Sequence, residues 1–224
     1  FGLYDEFASR GFGLYAKPHR YEENVSISSD QRDEIVVALS EDYVKDAHGL
    51  DQFTPDIAAN WRPISWMNWT AEWYHESQDH YEYWAENTDH ASIFADLTTR
   101  QNSFTIRNTT TFTRDLTLQV YSQLFLAKAH YANLRQLATP SSFTTDFIDP
   151  DEIVDPDFDE QTFNLNVVLR WEYLPGSTAF LVWSEARNTT LANFYQTTGD
   201  EIGDAFGMSP ANVILLKVNY LLSL

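Results

Sequence analysis

The densest array of cation ligands in the sequence is the stretch 146–160, which holds Asp146, Asp149, Asp151, Glu152, Asp155, Asp157, Asp159 and Glu160. Hard cations such as Ca²⁺ take oxygen ligands, and Asp155, Asp157 and Asp159 place three carboxylates at alternate positions. That triplet is the candidate calcium site. The stretch lacks the glycine and the closing glutamate spacing of the twelve-residue calcium loop, so a solvated acidic loop is the competing reading. No other cofactor is expected. His75, His80 and His90 lie along one aromatic segment and His19, His48 and His130 are scattered, without the paired spacing of a zinc site. Ser122 and Ser177, with His75 or His130, are nominal partners for nucleophilic catalysis. No Gly-x-Ser-x-Gly elbow presents either serine, and carboxyl pairs for glycoside cleavage are defined by a distance that sequence does not supply. No residue set here establishes catalysis, and the reading leans against an enzyme. Arg170 and Glu172 share a strand face and, with Arg107, are candidates for the polar interior of a barrel. Trp61, Trp66, Trp69, Trp73 and Trp84 suit either stacking on sugars or a membrane girdle, and the girdle is favoured.

The elements that must position these groups announce themselves by period. In Ser103 to Phe112, apolar Phe104, Ile106 and Phe112 alternate with Ser103, Thr105, Arg107, Thr109 and Thr111. Period two over this length means a strand with unlike faces. After Thr113-Arg114-Asp115 the pattern resumes with Leu116, Leu118, Val120, Leu124 and Leu126. A second hairpin runs from Phe163 to Tyr173, reverses at Pro175-Gly176 and returns through Ser177 to Arg187. Val213 to Leu224 aligns Ile214, Leu216, Val218, Tyr220, Leu222 and Leu224. Shorter strands are marked by Val25 and Ile27, by Ile35, Val37 and Leu39, by Ile57 to Trp61, and by Met67 to Trp73, giving about eight strands in all.

Connections between them alternate. Tight turns fall near 29–33, 61–64, 112–115 and 174–177, and long connections near 42–50, 77–92, 130–162 and 188–212. Short turns at one end and elaborated connections at the other are the habit of a bacterial outer-membrane barrel. The 15% aromatic content, with 12 Tyr and 7 Trp, exceeds what a core requires and fits two interfacial girdles. No run approaches the ~18 apolar residues of a membrane-spanning helix, and mean hydropathy is −0.38. Barrel strands hide only every second side chain, so neither fact opposes a barrel. A net charge of −19 with only 14 Lys and Arg disfavours nucleic acid, which needs a basic face, and no nucleic-acid partner is expected. There is no cysteine, hence no disulfide framework. The sequence starts at Phe1 with no basic-then-apolar leader, and reads as a mature or partial chain.

Leu169-Arg170-Trp171-Glu172-Tyr173-Leu174-Pro175-Gly176-Ser177-Thr178-Ala179-Phe180-Leu181-Val182-Trp183 resembles the signature hairpin of an uncharacterised family of bacterial outer-membrane barrel domains. Phe112-Thr113-Arg114-Asp115-Leu116-Thr117-Leu118-Gln119-Val120-Tyr121-Ser122-Gln123 resembles a second signature, and Asp30-Gln31-Arg32 a third. The resemblance implies the C-terminal part of a larger barrel, in a family where a carbohydrate-binding-like β-sandwich commonly precedes the barrel. Outer-membrane barrels usually finish on an aromatic residue, and this chain finishes on Leu224.

The reading is an all-β, antiparallel transmembrane β-barrel in the bacterial outer membrane. Residues 1–20 form a leading strand or lumen segment, and residues 21–224 form strands with short periplasmic turns and long outer loops. Phe104, Ile106, Leu116, Leu118, Val120, Ile214, Leu216 and Val218 are expected to face lipid. The expected partners are outer-membrane lipid, other outer-membrane proteins and glycan. The expected role is an anchor or passage within an assembly linked to polysaccharide handling. The alternatives are an outer-membrane hydrolase acting on glycan or lipid, and a soluble secreted glycan-binding β protein.

Overall fold

The computed structural model of the protein describes residues 3–88, 91–145, 157–191 and 194–222. The chain forms β1 (Tyr4–Asp5), β2 (Tyr15–Ala16), β3 (Arg20–Ser28), β4 (Ile35–Asp46), β5 (Asp51–Ile64), β6 (Met67–Asn87), β7 (Ser92–Thr113), β8 (Leu116–Thr139), β9 (Ser142–Thr144), β10 (Phe158–Leu174), β11 (Ser177–Leu191), α1 (Thr198–Gly207) and β12 (Ala211–Asn219). Nine strands make one sheet in the order β12-β11-β10-β8-β7-β6-β5-β4-β3, with β9 folded onto β8, while β1 and β2 pair only with each other. All the pairings are antiparallel. The fold is therefore an all-β antiparallel sheet, with one more strand in its main path than the sequence rhythm suggests. The sheet is open among the described residues. β3 and β12 stand at opposite ends of the order and do not pair, so the described residues do not close into a barrel.

Short connections gather at one end. Ser65-Trp66, Arg114-Asp115 and Pro175-Gly176 are two-residue reversals. Gly176 holds φ +77°, and a Cβ there would lie 2.5 Å from Leu221 Cδ2, so the position requires both positive φ and no side chain. At the other end, much of what the sequence places in long connections is strand. The β6–β7 ladder continues to the pair Asn87–Ser92, and β4 and β5 are joined by residues 47–50 alone. β8 has 24 residues, about 79 Å at ~3.3 Å per residue, where crossing a bilayer needs only about 9–11. The buried apolar side chains collect in this overhanging half, around Ile93, Phe94, Ala95, Leu97, Leu126 and Ala129.

Candidate functional site

Strand register decides which side chains share a surface, because directly paired residues project to the same side of a sheet. One row of paired residues reads Ile27–Leu39–Ile57–Trp73–Phe104–Leu124–Phe163 across seven strands. A second, nearer the short turns, reads Thr110–Leu118–Leu169–Leu181–Leu216. Between them, Asn108 pairs with Val120, which continues to Val167, Trp183 and Ile214. The chain Leu116–Trp171–Ala179–Val218 joins the same side. All eight residues expected to face lipid thus lie on one continuous face. Many of its large side chains are left exposed: Ile106 is 46% exposed and Leu216 69%. Irregularities preserve the face rather than break it. The register shift between Trp61 and Ile64 brings Ile64 opposite Met67, on the apolar side, which is what a bulge does. Two polar side chains on this face, Asn108 and Thr110, are buried. Thr110 Oγ1 donates to Asn108 Oδ1 at 2.9 Å, and Asn108 Nδ2 donates to the Asn68 carbonyl at 3.1 Å.

The opposite face is the more polar of the two, although Val168, Val182 and Leu215 form an apolar row that reaches the β12 edge. One row reads Asn60–Thr70–Arg107–Tyr121–Asn166–Ser184. Arg107, Arg170 and Glu172 all belong to it, as the pairs Arg170–Thr117 and Glu172–Thr178 show. The geometry does not bring the three together. Arg107 lies 3.7 Å from Glu72 and stacks over the Tyr121 ring at 5.2 Å, while Arg170 pairs with Glu172 at 3.0 Å.

Beyond the apolar band, the overhanging ends of β6, β7 and β8 build an ionic knot. Glu82 and Asp96 are opposite each other on β6 and β7, and Arg135 on β8 bridges them, at 2.7 Å to Glu82 Oε2 and 2.7 Å to Asp96 Oδ1. Glu82 Oε1 accepts from the Tyr15 hydroxyl at 2.7 Å and lies 2.9 Å from His48 Nδ1. A buried carboxylate needs such partners, since each unsatisfied oxygen would carry its full desolvation cost. Burial, followed by the bond to Glu82, pushes the Tyr15 phenol far above its ordinary range, so it stays protonated as a donor. Tyr15 also stacks on Phe94 at 5.1 Å. These contacts dock the hairpin of β1 and β2 against the long strands and leave a cleft of about 610 Å³ between them. Arg10 lies over Trp84 at 4.9 Å and Arg20 over Tyr81 at 5.9 Å, both lining the cleft, together with Lys17, which pairs with Asp5. Such a lining presents aromatic faces and fixed cations to a bound molecule.

α1 covers part of the apolar face at the same end, where Ile202 and Ala205 pack on Leu124, Leu126 and Phe163. Thr197 and Asp200 form a reciprocal capping box. Lys128 reaches from β8 to Glu201 at 3.0 Å and to the Gln196 carbonyl, and Glu201 is 2% exposed. Burial raises Glu201 above the ordinary carboxylate range, with Lys128 pulling the other way. Asp159 is raised too, by burial first. Of the calcium triplet, Asp155 lies outside the described residues. Asp157 bonds His130 Nδ1 and accepts from the Tyr131 amide at 2.7 Å, and Asp159 accepts from Gln161 at 2.9 Å. Among the described residues, no three His, Asp or Glu side chains converge as a metal site. His75 bonds Asn102, His130 bonds Asp157 and Ser177 Oγ accepts from the Leu221 amide, and among the described residues neither Ser122 nor Ser177 is joined to a histidine.

The Glu82 knot and the α1 latch went unrecognised in the sequence. Tyr15 and Glu82 are 67 positions apart with no motif between them. The cap was readable, as Thr197 followed three residues later by Asp200, but Gly199, Gly203 and Gly207 obscure the helix that follows.

No curated protein matches the chain. Among solved structures the protein is similar to CdiB from Acinetobacter baumannii, with 11% identity and a TM-score of 0.37, over 77% of this chain and 29% of that one. The chain thus spans under a third of that protein, and a likeness this distant carries no argument here. The sequence itself places the protein: the chain belongs to the family described as Domain of unknown function (DUF5916), whose profile matches residues 1–224.

Proposed function

We propose that this protein forms part of the wall of a β-barrel in the bacterial outer membrane, acting as an anchor or a passage within a larger assembly. The observation that carries the reading is the apolar face, which crosses nine strands and leaves large side chains such as Ile106, Ile214 and Leu216 exposed. It is broken by Asn108, Thr110 and Ser122 and, toward the overhanging end, by the Glu185–Arg187 pair, and it is backed by a more polar face. A soluble protein exposing so large an apolar surface would aggregate, whereas lipid is its natural cover. The height also fits. On β5 the face runs from Phe53 to Ile64, about 36 Å along the strand at ~3.3 Å per residue. At a barrel tilt of ~40° this projects to about 28 Å, against an apolar band ~25 Å tall. Trp61, Trp66, Phe112, Trp171 and Tyr220 sit at the short-turn end of the face, exposed, where an interfacial girdle belongs. The cysteine-free chain allows a direct test. In native membranes, single cysteines at Ile106 and Leu216 should resist a water-soluble maleimide, and cysteines at Arg107 and Asn164 should react. Equal labelling of both faces would sink the reading.

A second role is favoured by the cleft. Arg10, Lys17 and Arg20 are three of only 14 cations in a chain of charge −19, and they sit with Tyr81, Tyr83 and Trp84. Recognition of glycan at the outer end of the wall would use this lining. Trp84 fluorescence that is unmoved by acidic or neutral oligosaccharides would remove it.

A further inference from the structure

The two edges of the sheet run in the same direction. β3 starts at Arg20, opposite Asp46 at the overhanging end, and finishes at Ser28 beside a short connection. β12 starts at Ala211, opposite Ala186, and finishes at Asn219, opposite Thr178 next to the Pro175-Gly176 turn. Nine antiparallel strands must give this result, since the first and ninth always agree. Pairing β3 directly with β12 would therefore create a parallel seam in an otherwise antiparallel wall. A second copy gives no escape. Two copies in one membrane share an orientation, so β12 on the neighbour's β3, or β3 on β3, is parallel again.

The edges are nonetheless built to be covered. Soluble proteins blunt exposed edges with charge, proline or bulges. On β3 the charges Arg20, Glu22 and Glu23 are confined to the overhanging end, and from Asn24 to Ser28 there is no charge and no proline; the only charge on β12 is Lys217, on the side opposite Ile214 and Leu216. Neither edge ladder has a register shift. The apolar face does not fade at its margins: Val25 and Ile27 at one edge, and Ile214, Leu216 and Val218 at the other, are more than half exposed. In lipid, unpaired backbone groups cost several kcal/mol each, and open sheet edges are not found there.

We propose that an odd number of amphipathic β-strands, supplied by the same polypeptide outside residues 1–224 and running opposite to β3 and β12, completes the wall by pairing with both edges. This rests on the membrane-wall reading. An odd addition to nine gives an even, fully antiparallel barrel, the form bacterial outer-membrane barrels take. Supply from the same polypeptide avoids a state in which both edges wait open in lipid for a partner to arrive.

The test uses the intact protein in native outer membranes, with a photo-crosslinking side chain at Leu216 or at Ile27 and adducts mapped by mass spectrometry. The expected result is an adduct joining each position to a peptide outside residues 1–224, in a species of single-chain mass. An adduct between Leu216 and residues 20–28, a species of higher mass, or lipid adducts alone at both positions would overturn the proposal. The same side chain at Ile106, in the middle of the sheet, separates the two claims. Lipid adducts there uphold the membrane wall even if the edge assignment fails, and their absence would fail the wall itself.

Discussion

Replacing Ile106 by arginine places a charge near the centre of the apolar band. Ile106 lies six residues from Phe112, at the turn end of β7, about 20 Å along the strand at ~3.3 Å per residue and about 15 Å in depth at ~40° tilt. That is roughly half of the ~28 Å projected for β5. An arginine on the lipid face at mid-bilayer costs about 2–4 kcal/mol, and about 3 kcal/mol is a change of roughly 150-fold in the folding equilibrium. The paired substitution Asn164→Arg sits within one residue of the same register but on the polar face, since Leu165 pairs with Ser122 and Ser122 with Ile106. It should cost under about 1 kcal/mol, as a polar-face change leaves the lipid contact alone. The assay is reversible guanidinium unfolding of the intact protein in phospholipid vesicles. Equal costs for the two variants, or a greater cost for Asn164→Arg, would refute the assignment of the faces.

The α1 latch is testable by double substitution. Lys128→Met strands Glu201 as an unpaired buried charge and should weaken α1 docking by about 3–5 kcal/mol, whereas Lys128→Met with Glu201→Leu should recover most of that loss; hydrogen exchange of the α1 amides reports both, and a double variant no better than the single one would contradict the pairing. The same helix should respond to pH. Burial raises Glu201 and Asp159 in the folded state, so the folded protein binds more protons than the unfolded, and docking is strongest below the ordinary carboxylate range of ~4 and weakens as pH rises through the raised values. After correction for intrinsic rates, α1 protection relative to the β7–β8 ladder should fall between mildly acidic and neutral pH; a rise would contradict it. Gly176→Ala forces a side chain onto φ +77° and into Leu221, and should cost about 1–2 kcal/mol; unchanged unfolding would remove the argument for glycine at that turn.

Legibility in the sequence followed the regularity of the ladders. The hairpins around 113–115 and 175–176 were plain because Phe104, Ile106, Leu118, Val120, Leu165 and Val167 keep a period of two, which Asn108, Thr110 and Ser122 interrupt without shifting. The overhanging ends were not. In β6, Glu76, Gln78, Glu82 and Glu86 fall among the aromatics, and register shifts between Gln78 and Tyr81 and between Trp84 and Glu86 break the period of two. His80, at φ +55°, marks the first of them. Side chains beyond the apolar band are ordered by local packing and ion pairing instead of by a single apolar side, so alternation is lost where strand continues. The alternation of short and long connections pointed to the end that is elaborated, while the elaboration itself is mostly extended ladder. The knot of Tyr15, Glu82, Asp96 and Arg135 depends on contacts between segments far apart in the chain, and no local pattern encodes it.

The central claim is that the apolar face meets lipid. Its most direct test is extraction of the intact protein from native membranes, followed by electrophoresis with and without boiling. The account predicts fractionation with the outer membrane, release only by detergent, and a band whose mobility shifts on heating. Release into plain buffer, with no mobility shift, would contradict it.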